Sequence, residues 1–175
     1  MKVIKDSLNI ENTKNENCGH GHSMVFIQGN IPSSKNSKVA TSRGVFHSKT
    51  VSKFLREQGI QHYSVSKKEI TYYKTKPCLF PVKELKELFK DVEYPCEVGL
   101  HFVRQTKSRF DLINIAQIVM DLMVAFRIIE DDDTSHVLPR NVWVNGQSSS
   151  VSKTNPGVFI LILNKDERKE ISLHI

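Results

Sequence analysis

The residues best suited to chemistry lie between Arg104 and Pro139. Three cations, Arg104, Lys107 and Arg109, lead into Asp111, a long apolar stretch follows, and behind it stands an acidic run, Glu130-Asp131-Asp132-Asp133. Carboxylates are natural ligands for hard divalent cations such as magnesium. Cations beside them suit a phosphate backbone. Acids at both ends of one apolar helix, next to strong cations, are hard to explain as packing alone, and they point to a divalent metal and a phosphodiester. Phosphodiester hydrolysis needs a nucleophilic water and an offset to the extra charge on phosphorus, both of which carboxylate-held magnesium supplies. Asp111, Asp131 and Asp132 are the candidate ligands. Arg109 and Lys107 are suited to hold the scissile strand or to offset charge on the transferring group.

Each candidate also has an ordinary structural role open to it. Asp111 is a preferred residue for capping a helix that begins at Leu112. Glu130 to Asp133 is also what a solvated acidic turn looks like. On the helix itself, Asn114, Gln117 and Asp121 fall within about 60° of one another at 100° per residue. Nearly every other position from Leu112 to Phe126 is apolar. Such a helix is buried on most sides, in the core or at a subunit interface, and its polar stripe either meets partners there or forms the solvent-facing edge.

The elements that would position these residues can be read from periodicity and punctuation. MVFIQGNI (24–31) reads as a first strand stopped by Pro32, and Ser33 to Gly44 as a Ser/Lys/Asn-rich loop. Ser48 caps a short helix through Gln58, stopped by Gly59. Residues 60–76 are ambiguous. Pro81 opens a second helix, PVKELKELFKDV. CEVGLHFVR (96–104) alternates as a strand, and the long helix spans about 112–127. Residues 141–144 suit a short strand, 148–156 a loop, and GVFILIL (157–163) a buried strand. The expected class is α+β, a small mixed sheet with the long buried helix packed across it. The expected organisation is a polar N-terminal extension (1–22), one domain (23–165) and a C-terminal tail (166–175).

Composition narrows the partners. Residues 35–90 carry thirteen Lys or Arg against four Asp or Glu, a balance of +9, whereas 91–175 balance to −3. A polyanion would meet the first segment while the acids sit on the C-terminal half, a pattern that nucleic acid fits and that a merely solvated basic surface also produces. Lys35, Asn36, Lys38 and Arg43, in the loop after the first strand, are with Lys107 the candidate DNA contacts. No run is long and apolar enough for a membrane span, and the N-terminus lacks the apolar stretch of a signal peptide, so the expectation is a cytoplasmic protein. Cys18, Cys78 and Cys96 then read as reduced thiols. Cys18-Gly19-His20-Gly21-His22 offers zinc ligand types without a paired cluster elsewhere, and no phosphate-binding glycine loop is present.

Three motifs in order carry a family resemblance. Gly29-Asn30-Ile31-Pro32-Ser33-Ser34-Lys35-Asn36, Arg109-Phe110-Asp111-Leu112-Ile113-Asn114 and Ile129-Glu130-Asp131-Asp132 resemble the early strand with its Pro-Ser-x-Asn turn, the Asp-x-Asp-Asn sequence and the Glu-Asp-Asp sequence of the RusA family of Holliday-junction resolvases, found in phages and prophages. The likeness covers roughly residues 24–164. It implies a RusA-like homodimeric fold and a magnesium-dependent endonuclease that cleaves branched DNA in recombination and repair, in a bacterial host's cytoplasm. It also implies catalytic roles for Asp111, Asp131, Asp132, Asn114 and Arg109. The sequence departs from the pattern at two positions. Ile113 stands where many members have the second Asp, and Gln117 where a functional Lys occurs. The implied alternative is a catalytically weak or inactive branched-DNA-binding protein. A straight helix from Leu112 to Arg127 would be about 24 Å long, so the acids at its ends serve one ion most readily if two such helices pack antiparallel across a dimer axis. Asp111 of one subunit would then join Asp131 and Asp132 of its mate.

Overall fold

The computed structural model describes residues 23–33, 38–41, 44–64, 69–72 and 78–163. The proposed N-terminal extension, its Cys/His cluster and the C-terminal tail lie outside these residues. At the centre is a mixed five-stranded sheet in the order β1-β9-β6-β7, with β8 also paired to β6. Its strands are β1 (Met24–Gln28), β6 (Cys96–Arg104), β7 (Val137–Asn141), β8 (Ser149–Val151) and β9 (Gly157–Leu163). β9 runs antiparallel to both β1 and β6, while β7 and β8 run parallel to β6. Among the described residues, three helices complete the α+β arrangement: α1 (Lys49–Glu57), α2 (Val82–Leu88) and α3 (Leu112–Ala125).

β6 is the middle of the molecule, buried along its length except at Arg104. It is flanked by β9 on one side and by β7 and β8 on the other, which is why even the polar members of its alternating pattern, Glu97 and His101, are buried. Cys96, Val98, Leu100 and Phe102 join the main core with Val158 and Ile160 of β9, Ile27 of β1, and Ile115, Val119, Leu122 and Met123 of α3. Glu97, Gly99, His101 and Val103 take the opposite face, since side chains alternate along a strand. Gly99 leaves room there: a Cβ would lie 2.6 Å from Val142 Cγ2 and 3.0 Å from Leu161 Cδ2, so those side chains would have to shift.

The segment β6-α3-β7 is a parallel crossover. Cys96 pairs with Val137 and Leu100 with Asn141, so α3 must carry the chain back along the length of β6. Three devices define its ends. Asp111 caps the start. At the finish, Arg127 N–H donates to Val124 O at 2.9 Å and Ile128 N–H to Met123 O at 2.8 Å, with Arg127 left-handed at φ 54°. This is the paired-bond helix stop usually built on glycine. Ile128 and Ile129 are then buried, fixing where the acidic run emerges.

The sequence expectation differs from the structure in the short elements. Ser33 to Gly44 is not all loop. β2 (Lys38–Thr41) and β3 (Gly44–His47) form an antiparallel hairpin. The ambiguous stretch supplies a second hairpin, β4 (Ile60–Ser64) with β5 (Glu69–Tyr72). Pro81 sits at the cap rather than inside α2, and the strand expected at 141–144 lies earlier, as β7. β8 occupies part of the loop expected at 148–156. Both misplaced edge strands are three to five residues long and owe their state to pairing with β6 rather than to local pattern.

Candidate functional site

The candidate residues fall into two groups at opposite ends of β6. At the Arg104 end, the sheet delivers Gly29–Ser33, leaving β1, alongside Gln105–Asp111, leaving β6. Gly29, at φ 130°, turns the chain out of β1 and its N–H donates to Pro156 O at 2.8 Å. Gln58, fully buried, bolts the end of α1 to this turn through Nε2 donating to Gln28 O at 2.8 Å. Arg104 ties the two outgoing segments together. Its Nη1 donates to Ile31 O at 2.7 Å, and its guanidinium lies 5.1 Å from the centre of the Phe110 ring. Burial lowers its pKa somewhat. Asn30 Nδ2 adds a bond to Gln105 Oε1 at 3.3 Å.

From this base Lys107 and Arg109 project as exposed cations, and Asp111 follows, also exposed. Asp111 Oδ1 accepts from Ile113 N–H at 3.1 Å and from Asn114 N–H at 3.4 Å. The capping role is thus realised, and both bonds fall on one carboxylate oxygen. Asn114 is half-buried beside it, while Ile113 is 78% exposed. Lys35, Asn36 and Arg43 lie outside the described residues. Lys38 begins β2, which places it on a hairpin edge rather than in the loop expected for it.

The acidic run occupies the other end, beside Cys96, whose N–H donates to His136 O at 2.9 Å. Asp131 Oδ1 accepts from Asp132 N–H at 2.8 Å. Asp132 has its pKa raised by partial desolvation, then by a side-chain hydrogen bond with Asp131 and the nearby charges of Asp131 and Asp133. Asp133 behaves oppositely. Its Oδ1 accepts from Ser135 Oγ at 2.6 Å and meets His136 Nδ1 at 2.8 Å, which holds it down to about 2. His136 is raised in return, chiefly by that bond. Asp133 is therefore committed to its own turn, whereas Asp131 and Asp132 form a crowded pair of exposed carboxylates.

The two groups are anchored far apart along β6. The Phe110 ring, next to Asp111, lies 6.1 Å from the Phe102 ring, while the acidic run hangs from Cys96. Six residues of strand separate those anchors, roughly 20 Å, and two oxygens bound to one magnesium sit within about 4 Å of each other. Among the described residues, no three His, Cys, Asp or Glu side chains converge as a metal-holding group.

α3 also bears on the idea of a helix-to-helix interface. Its apolar surface is consumed by the chain's own core, and only Ile113, Gln117 and Asp121 are exposed along it. The solvent-facing alternative for the stripe is thus realised at Gln117 and Asp121, and a partner helix would have to meet the Ile113–Gln117–Asp121 line. Arg104, which the sequence offers only as one cation of the basic run, is the most consequential residue at this end. Its signal, a cation closing an otherwise apolar strand, is weak because many strands end that way. Cys78 and Cys96 are both free of disulfides, and among the described residues no helix is long and apolar enough to cross a membrane.

No protein-family model, curated protein or solved structure matches this chain.

Proposed function

We propose that this chain is a magnesium-dependent endonuclease of the RusA kind, acting on branched DNA as a homodimer. The observation that carries the reading is the order and spacing of three sequence motifs: Pro32-Ser33-Ser34-Lys35-Asn36, Asp111 with Asn114, and the Asp131–Asp132 pair, with Asp132 following Asp111 by 21 positions. The basic balance of residues 35–90 and the exposed cations Lys107 and Arg109 support a polyanionic substrate.

The donor set suits magnesium, since all are carboxylate oxygens. Asp111, Asp131 and Asp132 would hold the ion, which supplies an activated water and offsets charge at phosphorus. Because Asp111 and the Asp131–Asp132 pair lie at opposite ends of β6, each site draws Asp111 from one subunit and the Asp pair from the other. Two-fold symmetry then gives two equivalent sites, as a four-way junction with two strands to cut requires. Arg109 and Lys107 hold the strand beside Asp111. Arg104 is a positioning residue that fixes the segments on which they stand. Asn114, half-buried at the helix start, donates its backbone N–H to Asp111 Oδ1.

One observation favours a second reading, a junction-binding protein without strong catalysis. Ile113 presents an exposed aliphatic side chain where the family resemblance would place a ligand, and Gln117 follows it on the same exposed line. Purified protein incubated with a labelled four-way junction, with and without magnesium, decides between them. The nuclease reading expects symmetric nicks that require magnesium and vanish in Asp132→Asn. Tight junction binding without nicking in wild type would establish the second reading instead.

A further inference from the structure

The loop joining β7 to β8 holds the chain's single tryptophan out in solvent. Trp143 is 68% exposed, although an indole gains much from burial. The loop is not slack. Val142 N–H donates to Leu100 O at 2.9 Å, and Val144 and Gln147 exchange both backbone bonds, at 2.9 and 3.0 Å. Asn145 and Gly146 turn between them at φ 50° and 73°, the dihedral pair of a tight type I′ turn. Asn141 Nδ2 closes the base by donating to Ser148 O at 3.1 Å.

Beneath the loop lies His101, 1% exposed on the second face of β6. Its Nδ1 is 2.9 Å from Val142 O and its Nε2 is 2.8 Å from Ser150 Oγ. A carbonyl oxygen only accepts, so Nδ1 carries a hydrogen towards Val142 O, while Nε2 bonds the serine hydroxyl, which can serve as either partner. One buried histidine thus fastens the chain on both sides of Trp143. The result is a stiff pedestal for an apolar ring.

The surroundings favour a nucleic acid over a protein. No Asp or Glu occurs between Asp133 and Asp166, so nothing on this segment repels phosphate. Asn145, Gln147 and Ser148 are exposed about the turn and offer donors and acceptors in place of the apolar collar a protein interface needs. The other exposed apolar groups of this edge, Leu138 and Val151, pair with Glu97 and Arg104. They lie roughly 23 Å apart along β6 and do not gather round the ring.

We propose that Trp143 is a stacking platform for an unpaired base, of the kind available at the branch point of a DNA junction. The proposal rests on the branched-DNA reading above and adds to it the group that would engage opened bases. Bases stack on aromatic side chains without regard to sequence, since every base has a π face.

Because Trp143 is the chain's only tryptophan, its emission reports on this contact alone. The full chain is titrated with a single-stranded oligonucleotide, a four-way junction and a blunt duplex, each end-labelled so that anisotropy follows binding independently. Emission should be quenched by the single strand and the junction and far less by the duplex. Trp143→Ala should weaken single-strand binding by about 5- to 160-fold with duplex binding unchanged, while Trp143→Phe stays within about threefold of wild type. Circular dichroism confirms that each variant is folded. DNA that binds by anisotropy with unchanged emission, and equally tightly to Trp143→Ala, overturns the stacking role and leaves the nuclease reading standing. Failure of all three DNAs to bind the wild-type chain overturns both.

Discussion

Asp111 holds two roles that substitution can separate. As a cap, its Oδ1 accepts the N–H groups of Ile113 and Asn114. As a candidate ligand, what matters is its charge. Asn caps a helix about as well as Asp, so Asp111→Asn keeps the first role and removes the second. The remaining cost is the lost interaction of a negative charge with the helix N-terminus, about 0.3–1 kcal/mol for an exposed group and less in salt. Asp111→Ala removes the cap as well, a further loss of about 1 kcal/mol. In a chain of this size 1 kcal/mol shifts Tm by about 2–4 °C. Thermal melts at moderate salt should therefore place Asp111→Asn about 1–2 °C below wild type and Asp111→Ala about 3–6 °C below. Junction cleavage should follow charge rather than stability, with both variants losing about 100-fold or more, as when a charge-stabilising group is removed from an active site. Nicking by Asp111→Asn at close to the wild-type rate, with Asp111→Ala impaired only as far as it is destabilised, would refute the ligand role and leave Asp111 a cap.

Three other outcomes are expected. Arg127→Gly should raise stability by about 0.5–1 kcal/mol in denaturant unfolding, since relief of the left-handed conformation exceeds the extra entropy of glycine; a lower midpoint would contradict the helix stop described at Ile128. Neutralising Lys35, Lys38 and Arg43 together should weaken binding to every DNA and flatten the salt slope by about 2.7, or 0.9 for each phosphate no longer neutralised; unchanged slope and affinity would place the DNA surface elsewhere. Asp132, raised by desolvation and then by Asp131, favours the folded state most when protonated, a contribution present below its unfolded pKa and lost as pH rises through the folded one. Asp131→Asn should accordingly bring the Asp132 titration down towards the ordinary carboxylate range in metal-free NMR, and an Asp132 unmoved or moved upward would contradict the raising effect of Asp131.

Much of the central scaffold was legible because its signals are local and strong. The alternation of CEVGLHFVR and the continuous GVFILIL gave β6 and β9 their observed bounds, and Ser48 and Asp111 announced α1 and α3 as caps do. The edge strands were not legible. β7 contains Pro139, which argues against a strand, and β8 reads Ser-Ser-Val; both are strands because β6 offers them partners. α3 ends two residues before the periodicity predicts, since Arg127 in a left-handed stop carries none of the signal that glycine would. Which acids could meet was hidden for another reason. Spacing along the chain shows how far apart Asp111 and Asp132 are in sequence, but only the parallel register of β6 with β7 puts them at opposite ends of one strand. Trp143 was likewise invisible as a functional group, because its exposure depends on the Asn-Gly turn and on His101 beneath it.

The claim that two subunits build each site is tested most directly by mixing inactive proteins. Asp111→Asn and Asp132→Asn subunits are co-refolded to allow exchange, then assayed on a labelled four-way junction in magnesium. If Asp111 of one chain works with Asp132 of its mate, the mixed dimer holds one intact site and nicks one strand, although neither parent cuts. Wild type mixed with the Asp111→Asn/Asp132→Asn double variant should show the reverse, a mixed dimer with no intact site. Silence from the first mixture, with one-strand nicking by mixed dimers in the second, would contradict the composite site.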